Sequence, residues 1–257
     1  MNTLHGLHIV LTRPSGQSDA LAVRIRAAGG KVLVLPLLDI APPSERVMPE
    51  VLRAQMSRAD DVIFISPNAV RMALQTLPAQ DWPPHASLFA LGKGTALALQ
   101  AAGLSRVVTP GDGADSEALL ALAEFQRPAG RRILLVRGEG GREFLAQTLL
   151  ARGACVEHAV LYRRIARPPD WSLLRPHDNL LLVITSSEAL RVLVDGAQGT
   201  DDATWLRQQK FVFAHPRIAR LAETYGLNRG MIAPSPEDDA VFSALLAYAA
   251  TPISRPG

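Results

Sequence analysis

Short apolar runs alternate with segments of helical period along the whole chain, and glycine or proline closes nearly every segment. Gly6-Leu-His-Ile-Val-Leu-Thr-Arg13 reads as a strand entering a loop. Ser15-Gly-Gln-Ser18-Asp then offers N-capping side chains. Leu21, Ile25 and Ala28 recur at helical spacing, and Gly29-Gly30 stops the helix. A strand over 32–38 follows and runs into Pro42-Pro43. The pattern next predicts a helix over 48–57, a buried strand in Asp61-Val-Ile-Phe-Ile-Ser66, and a helix opened by Ser66-Pro67-Asn68. Leu88-Phe-Ala-Leu-Gly-Lys-Gly94-Thr95 is strand, glycine loop and helix start, and that helix ends near Gly103. Val107-Val108 is a last short strand, and Asp115 caps a helix expected to run to about Phe125.

The second half repeats this order. Gly130-Arg-Arg-Ile133-Leu-Leu-Val-Arg137 answers Gly6 to Arg13, and Gly153 answers Gly29, each 124 residues on. Ser186-Ser187-Glu188 answers Ser66-Pro67-Asn68, 120 residues on, and Ala214-His215-Pro216-Arg217 answers Leu91-Gly92-Lys93-Gly94, 123 residues on. Strands alternating with helices give parallel sheets covered on both faces. About five strands per copy suits a doubly wound domain, so the expected fold is α/β, with two flavodoxin-like parallel-sheet domains. Ligand-binding loops in such sheets lie beyond the carboxyl ends of the strands. Those loops are here 12–18, 66–68, 92–95, 137–142, 186–188 and 215–217.

Composition narrows the function. The 257 residues are 48% apolar, and no apolar run reaches the roughly 20 residues of a membrane span, so no membrane partner is expected. The N-terminus lacks a signal-peptide core. Cys155 is the lone cysteine, which excludes an internal disulfide and a cysteine-based zinc site and suits a cytoplasmic protein. Net charge is +3, and only Lys31, Lys93 and Lys210 among the 27 basic residues are lysines. Arginines recognise carboxylates and phosphates in pairs of hydrogen bonds, although such usage also follows from genome composition. They are not clustered or interleaved with aromatics as a nucleic-acid groove requires, so no nucleic-acid partner is expected.

The loops hold no Walker lysine loop, no GxSxG elbow and no paired-histidine metal signature, so no metal is expected. Gly138-Glu-Gly140-Gly-Arg-Glu143 comes nearest to a dinucleotide turn, with Glu157 placed 19 residues after Gly138 as a ribose-binding acid. Its third glycine position, needed for close helix–strand packing, is Glu143. Hydroxyl and glycine residues at helix starts expose N–H groups suited to carboxylate or phosphate oxygens, and they also serve as plain caps. Arg13, Arg137 and Arg142 stand at loop or helix starts as ligand candidates, and His215 is a candidate base.

Six stretches in order carry a resemblance over nearly the whole chain: Val10-Leu-Thr-Arg-Pro14, Ile65-Ser-Pro-Asn-Ala-Val70, Ala114-Asp-Ser-Glu-Ala-Leu-Leu120, Arg137-Gly-Glu-Gly-Gly-Arg142, Val160-Leu-Tyr-Arg-Arg164 and His215-Pro-Arg-Ile-Ala219. Together they resemble the uroporphyrinogen-III synthase family. The resemblance implies that the first strand and helix fold with the C-terminal part. Residues 1–36 and 168–257 would then form one domain and 37–167 the other, joined by a two-stranded linker near 37–42 and 162–167. It implies a reaction without cofactor in a wide cleft of a monomer: hydroxymethylbilane, a linear tetrapyrrole with eight carboxylates, loses its hydroxyl and closes with inversion of ring D through a spiro intermediate. By position Tyr162 matches the family's tyrosine as proton donor, a phenol being ordinarily protonated at neutral pH with a pKa of about 10. Thr12, Arg13, Ser66, Asn68, Thr95, Arg137, Arg142, Ser186, Ser187, His215 and Arg217 are carried over as substrate-binding candidates. A two-domain protein that binds an anion without chemistry, and a nucleotide-dependent enzyme using the 138–142 loop, are the competing readings.

Overall fold

Apolar runs bounded by glycine and proline become the strands of two sheets, and the helical segments between them cover both faces of each. The computed structural model describes residues 3–111, 113, 115–141 and 143–251. The first part of the chain forms β1 (His8–Leu11), α1 (Asp19–Ala27), β2 (Lys31–Val34), β3 (Leu38–Ala41), α2 (Pro49–Arg58), β4 (Asp61–Phe64) and α3 (Pro67–Thr76). It continues through β5 (Ser87–Ala90), α4 (Lys93–Ala101), β6 (Val107–Val108), α5 (Ser116–Leu120) and α6 (Ala123–Gln126). Next come β7 (Arg132–Gly138), α7 (Phe144–Ala151), β8 (Cys155–Ala166), α8 (Trp171–Leu174), β9 (Leu180–Ile184) and α9 (Ser187–Ala197). The chain closes with α10 (Asp202–Gln208), β10 (Lys210–Phe213), α11 (Pro216–Thr224), β11 (Gly230–Ile232) and α12 (Asp238–Ala250).

The chain divides into two compact units, residues 1–39 with 165–257, and residues 40–164. In the first unit the sheet runs β2-β1-β9-β10-β11, with every pair parallel. Its alternate residues feed two cores. Val10, Leu182, Ile184, Phe211 and Phe213 pack with α9, α10 and α11. Ile9, Leu11, Leu181, Val183 and Val212 pack with α1 and α12. Two covered faces require strands that are apolar throughout, hence Leu180-Leu-Leu-Val-Ile184. Each fully buried leucine or phenylalanine here contributes about 1.5–3 kcal/mol of transfer free energy.

The second unit repeats the order in β8-β7-β4-β5-β6, with β3 beside β8. Val62, Phe64, Leu134, Val136, Ala159, Leu161 and Tyr162 face α2, α3 and α4, while Ile63, Phe89, Ile133 and Leu135 face α5, α6 and α7. Each sheet thus takes its first two parallel strands from one copy of the sequence repeat and the next three from the other.

Three expectations need correction. The strand expected over 32–38 is two strands, β2 and β3, in different sheets. Pro36 has no N–H to donate, and the hydrogen bonds from Leu35 and Leu37 N–H to Leu11 and Thr12 carbonyls end the pairing with β1 around it. The helix expected from Asp115 to Phe125 is broken into α5 and α6 at the extended residue Leu122. Arg152 donates to the Leu120 and Phe125 carbonyls at 2.8 and 2.6 Å, satisfying backbone acceptors at the ends of the two short helices. Ser18 stands at the N-cap of α1, but its side chain makes no capping bond.

Charge is buried at one strand start. Asp61, fully buried at the head of β4, receives two hydrogen bonds of 2.6 Å from Arg131, which immediately precedes β7. The bidentate pair keeps the Arg131 guanidinium protonated more firmly than usual and ties β4 to β7 in the register Asp61 opposite Ile133. On β8, partial burial, and then the nearby Arg137 charge, push the His158 imidazole below its ordinary pKa.

Arg131→Met leaves the Asp61 carboxylate buried and unpaired. A buried pair broken from one side costs roughly 3–5 kcal/mol, discounted here to about 2–3 because the Arg131 side chain is 43% exposed, and denaturant unfolding should show that loss. A histidine whose folded pKa is depressed binds fewer protons folded than unfolded, so its contribution falls as pH drops through its ordinary value of about 6.5. His158→Gln should therefore flatten the loss of stability below pH 6.5, measured as melting temperature against pH.

Candidate active site

All paired neighbours of β7, β4 and β5 run parallel, so the loops after these strands emerge at one end of the second unit's sheet. Ser66 follows β4, Thr95 lies in the first turn of α4 after β5, and the loop 139–143 follows β7. Tyr162 reaches the same end from β8 through an irregularity in pairing. Arg132 to Arg137 pair residue by residue with Cys155 to Val160, but Gly138 then pairs with Tyr162, so β8 carries one extra residue, Leu161. Strict alternation after Ala159 and Leu161 would turn Tyr162 to the opposite face. The bulge instead brings Leu161 and Tyr162 together into the core of α2, α3 and α4. Pairing resumes beyond it, with Glu139 N–H donating to the Tyr162 carbonyl at 2.7 Å.

Gly138 makes room for the ring. A Cβ on Gly138 would lie 2.6 Å from two atoms of the Tyr162 ring, so no larger residue fits without moving it. Tyr162 is 2% exposed, and its hydroxyl lies 2.9 Å from Ser66 Oγ in a part-buried hydrogen bond. Ser66 is extended and serves as N-cap of α3, its Oγ accepting the Ala69 N–H at 3.1 Å. The structure therefore joins Tyr162 and Ser66 directly. Asn68 lies two residues further on and accepts from Arg71 at 3.2 Å, while Thr95 is buried on α4.

Arg137 is buried, and its guanidinium turns into its own loop. It pairs with Glu143 at 2.9 Å and donates to the Gly140 and Gly138 carbonyls. Gly140 and Gly141 both have positive φ, which the curl of the loop around this cation requires. Glu143, at the place where a dinucleotide turn carries its third glycine, is thus the counter-charge of Arg137. Glu157 on β8 pairs with Arg58 at 3.3 Å. Both features depart from nucleotide binding. Arg142 lies outside the described residues.

In the first unit the corresponding sheet end carries the loops after β1, β9 and β10. Thr12 is buried and donates to the Val183 carbonyl at 2.7 Å, joining the first strand's loop to β9. Arg13 pairs with Asp238 and donates to the Pro236 carbonyl, which anchors the start of α12. Ser186 caps α9 as Ser66 caps α3, accepting the Ala189 N–H at 3.0 Å, and the buried Ser187 hydroxyl has no hydrogen-bond partner among the described residues. His215 is exposed and caps α11, its Nδ1 accepting the Arg217 N–H at 3.0 Å, and Arg217 is exposed beside it. A ring nitrogen used as a cap acceptor is to that extent engaged as a base.

Sequence reasoning missed Gly138 as the seat of the ring, and Asp238 and Glu143 as partners of the two arginines. The glycine signal was present, because glycine inside a strand marks a bulge or a close approach. Among the described residues no three His, Cys, Asp or Glu side chains gather as a metal-binding group, and no helix is long and apolar enough to cross a membrane.

The family model described as uroporphyrinogen-III synthase HemD matches residues 19–243. The uroporphyrinogen-III synthase of Escherichia coli is 32% identical over 245 residues, covering 93% of this chain and all of that protein. The Salmonella typhimurium enzyme of the same name is 35% identical over the same shares. The crystal structure of uroporphyrinogen-III synthetase from Helicobacter pylori shares the fold, with a TM-score of 0.59 at 19% identity over 94% of this chain and 99% of that one. The chain belongs to the uroporphyrinogen-III synthase family.

Proposed function

We propose that this protein closes hydroxymethylbilane to uroporphyrinogen III, with loss of water and inversion of ring D through a spiro intermediate. The observation that carries this reading, beyond family membership, is the phenol of Tyr162. A bulge turns it to the carboxyl end of a parallel sheet, a glycine seats it, and a hydroxyl-capped helix start holds it. The reaction asks for two things. A hydroxyl leaves readily only if it is protonated as it departs, and a flexible chain must be folded so that the inverted closure wins. Tyr162 supplies the proton in this reading.

Positioning falls to backbone N–H groups and cations. The starts of α3, α4, α9 and α11, at Ser66, Gly92, Ser186 and His215, present N–H donors suited to carboxylates. Asn68, Thr95, Ser187, Arg142 and Arg217 are the further contacts we assign to substrate. Thr12, Arg13 and Arg137 act one step removed, because their polar groups already hold loops together. A cytoplasmic monomer completes the proposal, and the exposed thiol of Cys155 suits a reducing compartment.

Supplied with hydroxymethylbilane, the protein should yield uroporphyrinogen III, and isomer I alone, the product of unassisted closure, would refute the proposal. Tyr162→Phe should fold normally and lose about 10²–10⁴-fold in kcat, the range of general-acid catalysis. Gly138→Ala pushes a methyl into the ring, so it should cost about 1–3 kcal/mol of stability and slow turnover although no reactive group is removed. Wild-type melting and turnover in that variant would show that the ring yields freely.

A further inference from the structure

Resting on the reading of Tyr162 as the acid, we propose that Ser66 is a second catalytic residue, the relay through which the phenol's proton reaches the leaving hydroxyl. The phenol itself is nearly sealed: Tyr162 as a whole residue is 2% exposed and packs in the core of α2, α3 and α4. Among the described residues Ser66 is the hydrogen-bond partner of its hydroxyl, at 2.9 Å. Ser66 is itself partly exposed. A proton leaving the phenol therefore meets Ser66 Oγ before anything outside.

The bonding capacity of Ser66 fits this role. A serine hydroxyl has two lone pairs and one proton. One lone pair accepts the Ala69 N–H, and the same oxygen lies 2.9 Å from the Tyr162 hydroxyl, a pair in which either group can donate. In the relay the phenol donates, which leaves the Ser66 O–H to point away from both partners. The helix start thus orients the relay as well as being capped by it. Capping alone does not call for a phenol. In the other copy of the repeat Ser186 makes the same cap at 3.0 Å, and the residue 124 places before Tyr162 is Leu38.

The step balances. Ser66 gives its proton to the substrate's hydroxyl while its oxygen takes the proton of Tyr162. The carbon–oxygen bond breaks, its electron pair leaving with the oxygen as water. The methylene left behind is a cation stabilised by the adjoining pyrrole nitrogen, and Tyr162 is left as phenolate. Closure first joins this methylene to the substituted α-carbon of ring D, giving the spiro intermediate. The bond from that carbon to its original bridging methylene then breaks, the freed methylene bonds to the unsubstituted α-carbon of ring D, and one proton leaves as the pyrrole regains aromaticity. That proton returns through Ser66 to the phenolate, so the net change is loss of one water.

Ser66→Gly tests the relay, because glycine is nearly as good an N-cap as serine while the hydroxyl is lost with its β-carbon. With hydroxymethylbilane as substrate, kcat should fall about 10²-fold or more with KM little changed, and Ser66→Thr should recover most of it. Residues that act as a unit are not additive, so Ser66→Gly with Tyr162→Phe should be no slower than the slower single variant. Turnover of Ser66→Gly within about threefold of wild type would overturn the relay, as would a double variant slower by the product of the two single losses. Wild-type turnover in Tyr162→Phe would instead remove the acid reading beneath it, which keeps the two failures distinct.

Discussion

One extra residue in β8 governs the site. Parallel strands hold strict register along β7 and β8 until Arg137, and there Leu161 is left over. Bulges are rare in parallel pairs, and a slip of one residue sends every later side chain to the other face. Here the slip turns Tyr162 to the face of α2, α3 and α4, where strict alternation would have turned it to the other face. The consequence reaches the sequence on both sides. Gly138 must lack a side chain because the ring lies over it, and Ser66 must be small and polar because the hydroxyl ends there.

The two sheets supply the rigidity that such a placement needs. Each is parallel among its five repeat strands and covered on both faces, so its central strands are largely apolar and tolerate little sliding. Charge is admitted only under control. Asp61 is buried with two bonds from Arg131, and Arg137 with Glu143 and two loop carbonyls. These pairs contribute more to register and loop shape than to net stability, since burying charge costs about as much as pairing returns. The chain changes unit within β3 and β8, so the long strand that carries Tyr162 is also one of the two crossings.

Much of the fold was legible in the sequence, because both periodicities and the repeat are local signals. The strands ending at Leu11, Phe64, Ala90 and Gly138 stand where apolar runs meet loop residues, and Ser66 and Ser186 cap the helices their hydroxyls announced. What escaped depends on residues far apart. Nothing near Leu122 announces that Arg152 will satisfy the carbonyls of a broken helix. Arg13 looked free for a ligand because Asp238 is 225 residues away, and Arg137 because a sequence does not show a guanidinium folding back on its own loop. The split within 31–41 was missed: one strand was read straight through Pro36, whose missing N–H ends the pairing with β1, and which sheet takes the second piece is decided by β8. In the site, residue types were readable and partners were not.

The choice of groups follows from where they sit. A carboxylic acid or imidazolium among Phe64, Val136 and Leu161 would carry a desolvation penalty whenever it was charged, and its proton would be governed by that penalty. A phenol and a serine hydroxyl are both neutral at rest, so the buried pair costs little before reaction. In the proposed reaction charge arises only as the proton leaves, and it arises beside the start of α3. There the helix presents partial positive charge, and its Ala69 N–H already holds Ser66. The stabilising dipole is thus fixed in place before the charge it opposes exists, which is the arrangement that lowers a barrier most.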